Sequence, residues 1–237
     1  MSYVNTQAML RAAREDEYAI GAFNVVDYVT TMAAVKAAEN RKSPVIIQAS
    51  TKTVAMYGSQ AIAGWVKALA DTASVPVALH LDHCKDIDMI KDCIKAGWSS
   101  VMIDGSLLSL DANIRLTQQV VELAGPKGVT VEGEVGAIVG VEDDIFIDEN
   151  DAVLADPESC VEYVNATGVD ILAPAIGTAH GKYRRQPKID YELLDTIRRR
   201  TGVPLAIHGG TGLSTEAFQQ CIAAGGTKIN IFPNLKY

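Results

Sequence analysis

A closed barrel of eight parallel strands alternating with helices, the (β/α)8 or TIM-barrel architecture, is the fold class this sequence predicts. Three observations predict it. Eight short apolar runs of strand length recur along the chain, stretches of helical periodicity separate them, and no linker or compositional break interrupts the alternation. An open doubly wound sheet would alternate in the same way. Its glycine-rich fingerprint should follow the first strand, where this chain reads "NVVDYVTT" instead. At 237 residues the chain is a lean version of a barrel that typically takes about 250, and a single domain over 1–237 is expected.

The eight runs are "AIGAFN" (19–24), "PVIIQAS" (44–50), "VPVALHLD" (75–82), "SSVMIDGS" (99–106), "GVTVEGEV" (128–135), "VDILAPAIG" (169–177), "VPLAIHGG" (203–210) and "TKINI" (227–231). Two intervening segments carry clear helix signals. In "DIDMIKDCIKAG", Ile87, Ile90 and Ile94 recur at helical spacing and Gly97 suits the C-cap. In "STEAFQQCIAAGG", Ser214 suits the N-cap and Gly225 or Gly226 the stop. The chain runs to Tyr237, soon after the eighth run, so a barrel lacking its eighth helix is expected. The expectation is that a C-terminal helix or tail is missing, the natural polypeptide being longer, or that a partner covers strands eight and one.

Composition narrows the function classes. A formal charge of −8 argues against a nucleic-acid partner, which would favour a basic face, but leaves local anion sites open. Cys84, Cys93, Cys160 and Cys221 show no paired spacing and read as reduced thiols. The N-terminus has no apolar signal region and no run approaches a bilayer span. A cytoplasmic protein with no membrane partner is expected.

Period-two alternation assigns the strand faces. Leu79 and Leu81 point toward the helices, while His80 and Asp82 point into the barrel. Asp104 turns inward, Glu132 and Glu134 share the inner side, and His208 sits inward at the end of the seventh run. All four histidines, His80, His83, His180 and His208, fall at or just past strand C-terminal ends, which form the face where barrel active sites are built. Imidazoles and carboxylates converging there suit a metal site, and three imidazoles with an open position suit catalytic Zn2+. His83, His180 and His208 form the better ligand set; His80 sits deeper and suits an orienting role. "HGGTGLST" leads into a helix capped by Ser214, so free backbone N–H groups there offer an anion pocket. Gly181 lies beside His180, where backbone can approach a ligand closely.

With these residues in place, the sequence resembles the class II, zinc-dependent ketose-bisphosphate aldolases, in their tagatose- and fructose-bisphosphate branch. The motifs that carry the likeness are "GAFNV", "SPVIIQAS", "HLDHCKD", "SSVMIDGS", "VEGEVG", "EDD", "IGTAHGKY", "HGGTGLS" and "KINI", spread in order over nearly the whole chain. The resemblance implies His83, His180 and His208 as zinc ligands, with Glu134 and Asp104 as polar groups near the metal and alternative ligands. It implies Asp82 as the acid–base group for the C4 hydroxyl, and Glu142 as the group that moves the proton on the dihydroxyacetone phosphate carbon. Gly181, Gly209, Thr211 and Asn230 match the phosphate cradle, and Asn24 and Ser50 line the same mouth. A monovalent cation (Na+ or K+) near the cradle, a phosphorylated ketose substrate and a homodimer or homotetramer are also implied.

The chemistry agrees with that reading. Retro-aldol cleavage needs an electrophile, either a lysine iminium or a metal acting as Lewis acid. Lys228 is the only lysine in a strand-like run and sits at its beginning, the wrong end for a Schiff base. Departures from the family pattern are Phe232 and Pro233 after the strand-eight asparagine, and Val139–Gly140 where two glycines often open the mobile loop. Alternative readings are a related aldolase acting on a sugar-acid phosphate, a non-catalytic metal- or phosphate-binding barrel, and a metallohydrolase on the same fold. The last lacks the His-x-His pair it usually offers after strand one.

Overall fold

A computed structural model describes residues 2–142, 145–147, 153–180 and 187–232, with backbone alone at 139–142, 145–147 and 180. The barrel strands are β1 (Ile20–Asn24), β2 (Val45–Ser50), β3 (Val77–Cys84), β4 (Ser100–Ile103), β5 (Thr130–Val135), β8 (Ile171–Pro174), β10 (Leu205–Ile207) and β11 (Gly226–Ile231). They close in the order β1-β11-β10-β8-β5-β4-β3-β2, every neighbouring pair parallel. Each coincides with one of the eight apolar runs.

Helix α1 (Thr6–Glu15) precedes β1, and α2 (Tyr28–Arg41) follows it. Next come α3 (Thr51–Tyr57) and α4 (Ser59–Thr72) after β2, α5 (Ile87–Ala96) after β3, and α6 (Leu110–Ala124) after β4. The remaining helices are α7 (Pro157–Thr167), α8 (Tyr191–Thr201) and α9 (Thr215–Ala223). Among the described residues no helix follows β11. Local chemistry sets the boundaries. Ser214 caps α9 by accepting from the Ala217 N–H, and Gly97 ends α5 in the left-handed region at φ 84°. The stop of α9 comes earlier than the two glycines suggest, at cap residue Ala224, because Gly225 makes the turn and Gly226 already belongs to β11.

Alternation sorts the strand side chains into two cores. Leu79, Leu81, Val101, Ile103, Val131, Leu205 and Ile207 face outward and pack under the helices, each fully buried aliphatic chain contributing about 1.5–3 kcal/mol. Inside, Ile20, Ala22, Ile46, Ala78, Ile171, Ala173 and Ala206 fill the lower barrel, closed from below by Met9, Leu10 and Ala13 of α1. Above this plug the inward positions turn polar. The register places Asn24 beside Gln48, Gln48 beside His80, and Ser50 beside Asp82.

One feature departs from the sequence reading, which took the segment around Glu142 as a loop. Strand β6 (Val139–Glu142) pairs antiparallel with β7 (Ile145–Ile147) and parallel with β9 (Ala179–His180), making a separate three-stranded sheet. The runs Val-Gly-Val and Ile-Phe-Ile carry the β-branched residues such a hairpin needs.

Candidate active site

Asp82 ends the regular part of β3 and points inward. Alternation alone would turn His83 out toward the helices, but its backbone adopts φ 44°, and the β3–β4 register shifts between Leu81 and Cys84. That left-handed residue, costing about 1–2 kcal/mol for a residue with a Cβ, brings His83 to the mouth as well. Its Nδ1 lies 3.2 Å from Asp104 Oδ2, and Asp104 is held in turn by the Ser106 N–H and hydroxyl at 3.1 and 2.6 Å.

His208 follows β10 and is fully buried. Its Nε2 lies 2.8 Å from Glu132 Oε1, and its Nδ1 lies 2.8 Å from His83 Nε2. Each imidazole thus has a carboxylate on one nitrogen and turns the other toward a shared point. This is the arrangement by which carboxylates bonded to the far ring nitrogen fix the orientation and tautomer of metal-binding histidines. Glu134 Oε2 lies 3.5 Å from His208 Nδ1 and 3.9 Å from His83 Nδ1, buried and with no hydrogen-bond partner among the described residues. An orphaned buried carboxylate oxygen beside converging nitrogens is what a divalent cation would satisfy.

The donor atoms of Asp82, His83 and His208 lie within 4.8 Å of one another, as do those of His83, Asp104 and Glu134. The residues present therefore fit a metal ion. The His180 side chain, the Glu142 side chain and Gly181 lie outside the described residues; the His180 backbone pairs with Gly140 in the small sheet.

Electrostatics divide the groups. Burial works against the His83 imidazolium, yet the Asp104 hydrogen bond and the Asp82 and Glu134 carboxylates together raise its pKa well above the ordinary value. Burial pushes Glu134 up, reinforced by Asp104. Burial also opposes the Asp104 carboxylate, but its bonds to His83 and Ser106 hold it well below the usual range. His80 is pushed down by burial and then by the Lys228 charge. It lies beneath the site, bonded through Nδ1 to Ser100 Oγ at 2.7 Å, with Nε2 3.6 Å from Glu132 Oε2. It lies beside the carboxylate that bonds His208.

Three amide donors hold Asp82: Asn24 Nδ2 at 2.8 Å, Gln48 Nε2 at 3.1 Å and Asn230 Nδ2 at 3.3 Å. Gln48 also donates to Asn24 Oδ1 at 2.6 Å. Ser50 caps α3 beside them by accepting from the Thr53 N–H. On the far side of the mouth, Gly209 takes φ 70°, and a Cβ there would collide with the backbone of Ala179. Gly210 donates to the Asn230 carbonyl at 3.0 Å, and the Thr211 hydroxyl accepts from the Phe232 N–H at 2.8 Å. The candidate cradle residues Gly209, Thr211 and Asn230 are thus gathered between β10 and β11.

Three residues of this site escaped the sequence reading as site residues: Gln48, Glu132 and Lys228. Gln48 was visible as the one amide in the apolar run of β2. Lys228 was set aside for its low position in the strand, but its side chain climbs the barrel interior to meet Glu132 and Asn230.

Comparison with known proteins follows the same lines. The profile of the family described as "Fructose-bisphosphate aldolase class-II" matches residues 4–237. The fructose-bisphosphate aldolase of Geobacillus stearothermophilus is 44% identical over 234 residues, 98% of this chain and 81% of the relative. The chain belongs to the class II fructose-bisphosphate aldolase family. It is 40% identical to the Staphylococcus aureus fructose-bisphosphate aldolase over the same shares of both chains. The crystal structure of the YdjI aldolase from Escherichia coli superposes with a TM-score of 0.86 at 33% identity, covering 97% of this chain and 81% of that one. As a class II aldolase the chain is a carbon–carbon lyase, of a family that is generally metal-dependent, and the converging donor groups answer to that dependence.

Proposed function

We propose that the protein is a zinc-dependent aldolase that reversibly cleaves fructose 1,6-bisphosphate into dihydroxyacetone phosphate and glyceraldehyde 3-phosphate. The observation that carries this reading is the pair of carboxylate-backed imidazoles, His83 and His208, meeting beside Asp82. The names of the Geobacillus and Staphylococcus relatives favour the fructose over the tagatose bisphosphate.

His83 and His208, with His180, would hold the ion, and Glu134 would serve as an alternative ligand. When bound, zinc supplies a Lewis acid for the substrate carbonyl. Asp82 takes the proton of the C4 hydroxyl as the C3–C4 bond breaks, and returns it in the condensation direction. Asn24, Gln48 and Asn230 hold its carboxylate in one orientation for that transfer. Glu142 delivers the proton to the dihydroxyacetone phosphate carbon, and Gly181, together with Asn230 and the turn of Gly209 and Thr211, receives a phosphate. A monovalent cation near that turn, a homo-oligomeric assembly and a cytoplasmic location belong to the same reading; no described helix is long and apolar enough to cross a membrane. Lys228 is no Schiff-base candidate, because its Nζ is paired with Glu132 at 2.9 Å.

A coupled assay with fructose and tagatose 1,6-bisphosphate tests the reading. Cleavage should be abolished by EDTA and restored by Zn2+, and borohydride with substrate should trap no adduct. A borohydride-trapped adduct, or full activity after exhaustive chelation, sinks it.

A further inference from the structure

Lys228 is fully buried inside the barrel, a costly place for a charge unless it is paired. Its Nζ lies 2.9 Å from Glu132 Oε2, 3.2 Å from Glu132 Oε1 and 2.8 Å from Asn230 Oδ1. Two arms of the site meet on this one ammonium. Along the first, Glu132 Oε1 bonds His208 Nε2 and so sets which nitrogen the imidazole turns toward His83. Along the second, a cation on Asn230 Oδ1 decides which end of the amide faces Asp82. With the oxygen captured, only the NH2 end is left to reach Asp82 Oδ1.

We propose that Lys228 is a positioning residue that orients the metal-facing His208 through Glu132 and the acid–base Asp82 through Asn230. Its ammonium contacts Glu132 and Asn230 rather than the candidate metal donors. The inference rests on the roles proposed above for His208 and Asp82. It differs from a purely structural reading, in which Lys228 only neutralises Glu132. Replacing a buried ion pair by neutral groups of similar size preserves stability far better than removing one partner, and this separates the two.

The test compares the zinc-loaded full chain with Lys228→Met and with the charge-balanced Lys228→Met/Glu132→Gln. Thermal melts, zinc affinity by competition with a chromophoric chelator, and kcat and KM for fructose 1,6-bisphosphate are read for each. Lys228→Met should lower zinc affinity by about 10–100-fold, the usual effect of losing an outer-shell partner. It should also lower kcat at least about tenfold with KM little changed, the signature of a lost transition-state interaction. The double variant should melt near the parent and keep the kcat deficit, because nothing anchors the Asn230 amide. It decides the matter should Lys228→Met not fold. Parental kcat in the double variant, or parental zinc affinity and kcat in Lys228→Met, would overturn the proposal. If the parent cleaves no bisphosphate, the functional reading falls; the zinc-affinity arm still supports Lys228 by its loss or overturns it by its persistence.

Discussion

His208 Nδ1 stands 2.8 Å from His83 Nε2, although the two residues are 125 positions apart. The rings meet edge to face, with centroids 4.6 Å apart. A hydrogen bond between two imidazole nitrogens needs a proton on one of them, and a metal-binding imidazole must give that proton up. Zinc binding should release protons. Titration calorimetry in buffers of different ionisation enthalpy should show about one proton or more per ion near neutral pH. Buffer-independent heats would contradict this.

Stability of the metal-free protein should fall as pH rises. The pKa values of His83 and Glu134 are raised on folding, from ordinary values of 6.5 and 4.5. At these two groups the folded state therefore holds more protons than the unfolded chain above those values, and the slope of stability with pH is negative. His80, pushed down from 6.5, opposes it only until its unfolded form has lost its proton. The His83 contribution is complete below pH 6.5 and is lost as pH climbs through its raised folded value. Thermal melts at pH 6 and pH 8 should show the lower Tm at pH 8, and saturating zinc should remove or reverse the trend. A metal-free Tm that rises across this range would refute the assignment.

Asp82→Asn should reduce kcat by about 10²–10⁴-fold, the range general acid–base groups supply, while zinc content stays near the parent's. Metal analysis alongside steady-state kinetics separates this from simple loss of the ion.

Gly133→Ala should destabilise the fold by about 1–3 kcal/mol through overpacking. Gly133 lies between Glu132 and Glu134 in β5 but faces outward, where a Cβ would collide with the Tyr163 hydroxyl. That hydroxyl sits 2.6 Å from Thr117 Oγ1 and is closed in by burial. Denaturant melts should show the loss, and the double variant Gly133→Ala/Tyr163→Phe should recover part of it.

The strands of the barrel were legible because each is a run of apolar residues with its own period, and because Ser214 and Gly97 mark helix ends by local chemistry. The inward direction of Asp82, Glu132, Glu134 and His208 followed from alternation. His83 did not: alternation sends it outward, and only a backbone torsion that sequence does not display turns it in. The sheet of β6, β7 and β9 was hidden because its strands are short and β9 depends on a neighbour distant in sequence. The place of the Lys228 ammonium was not legible, because strand position fixes where a Cα sits, while a long side chain decides where the charge ends.

The φ of 44° at His83 leaves Asp82 and a candidate ligand on adjacent residues. The proposed proton-transfer group and the candidate ligand share a single peptide plane, so their Cα atoms stay about 3.8 Å apart whatever the surrounding loops do. Insertions and deletions elsewhere can reshape the substrate pocket without altering that spacing. Relaxing the one torsion to an ordinary strand value would instead swing the imidazole among Leu79 and Leu81, dismantling both roles in a single step.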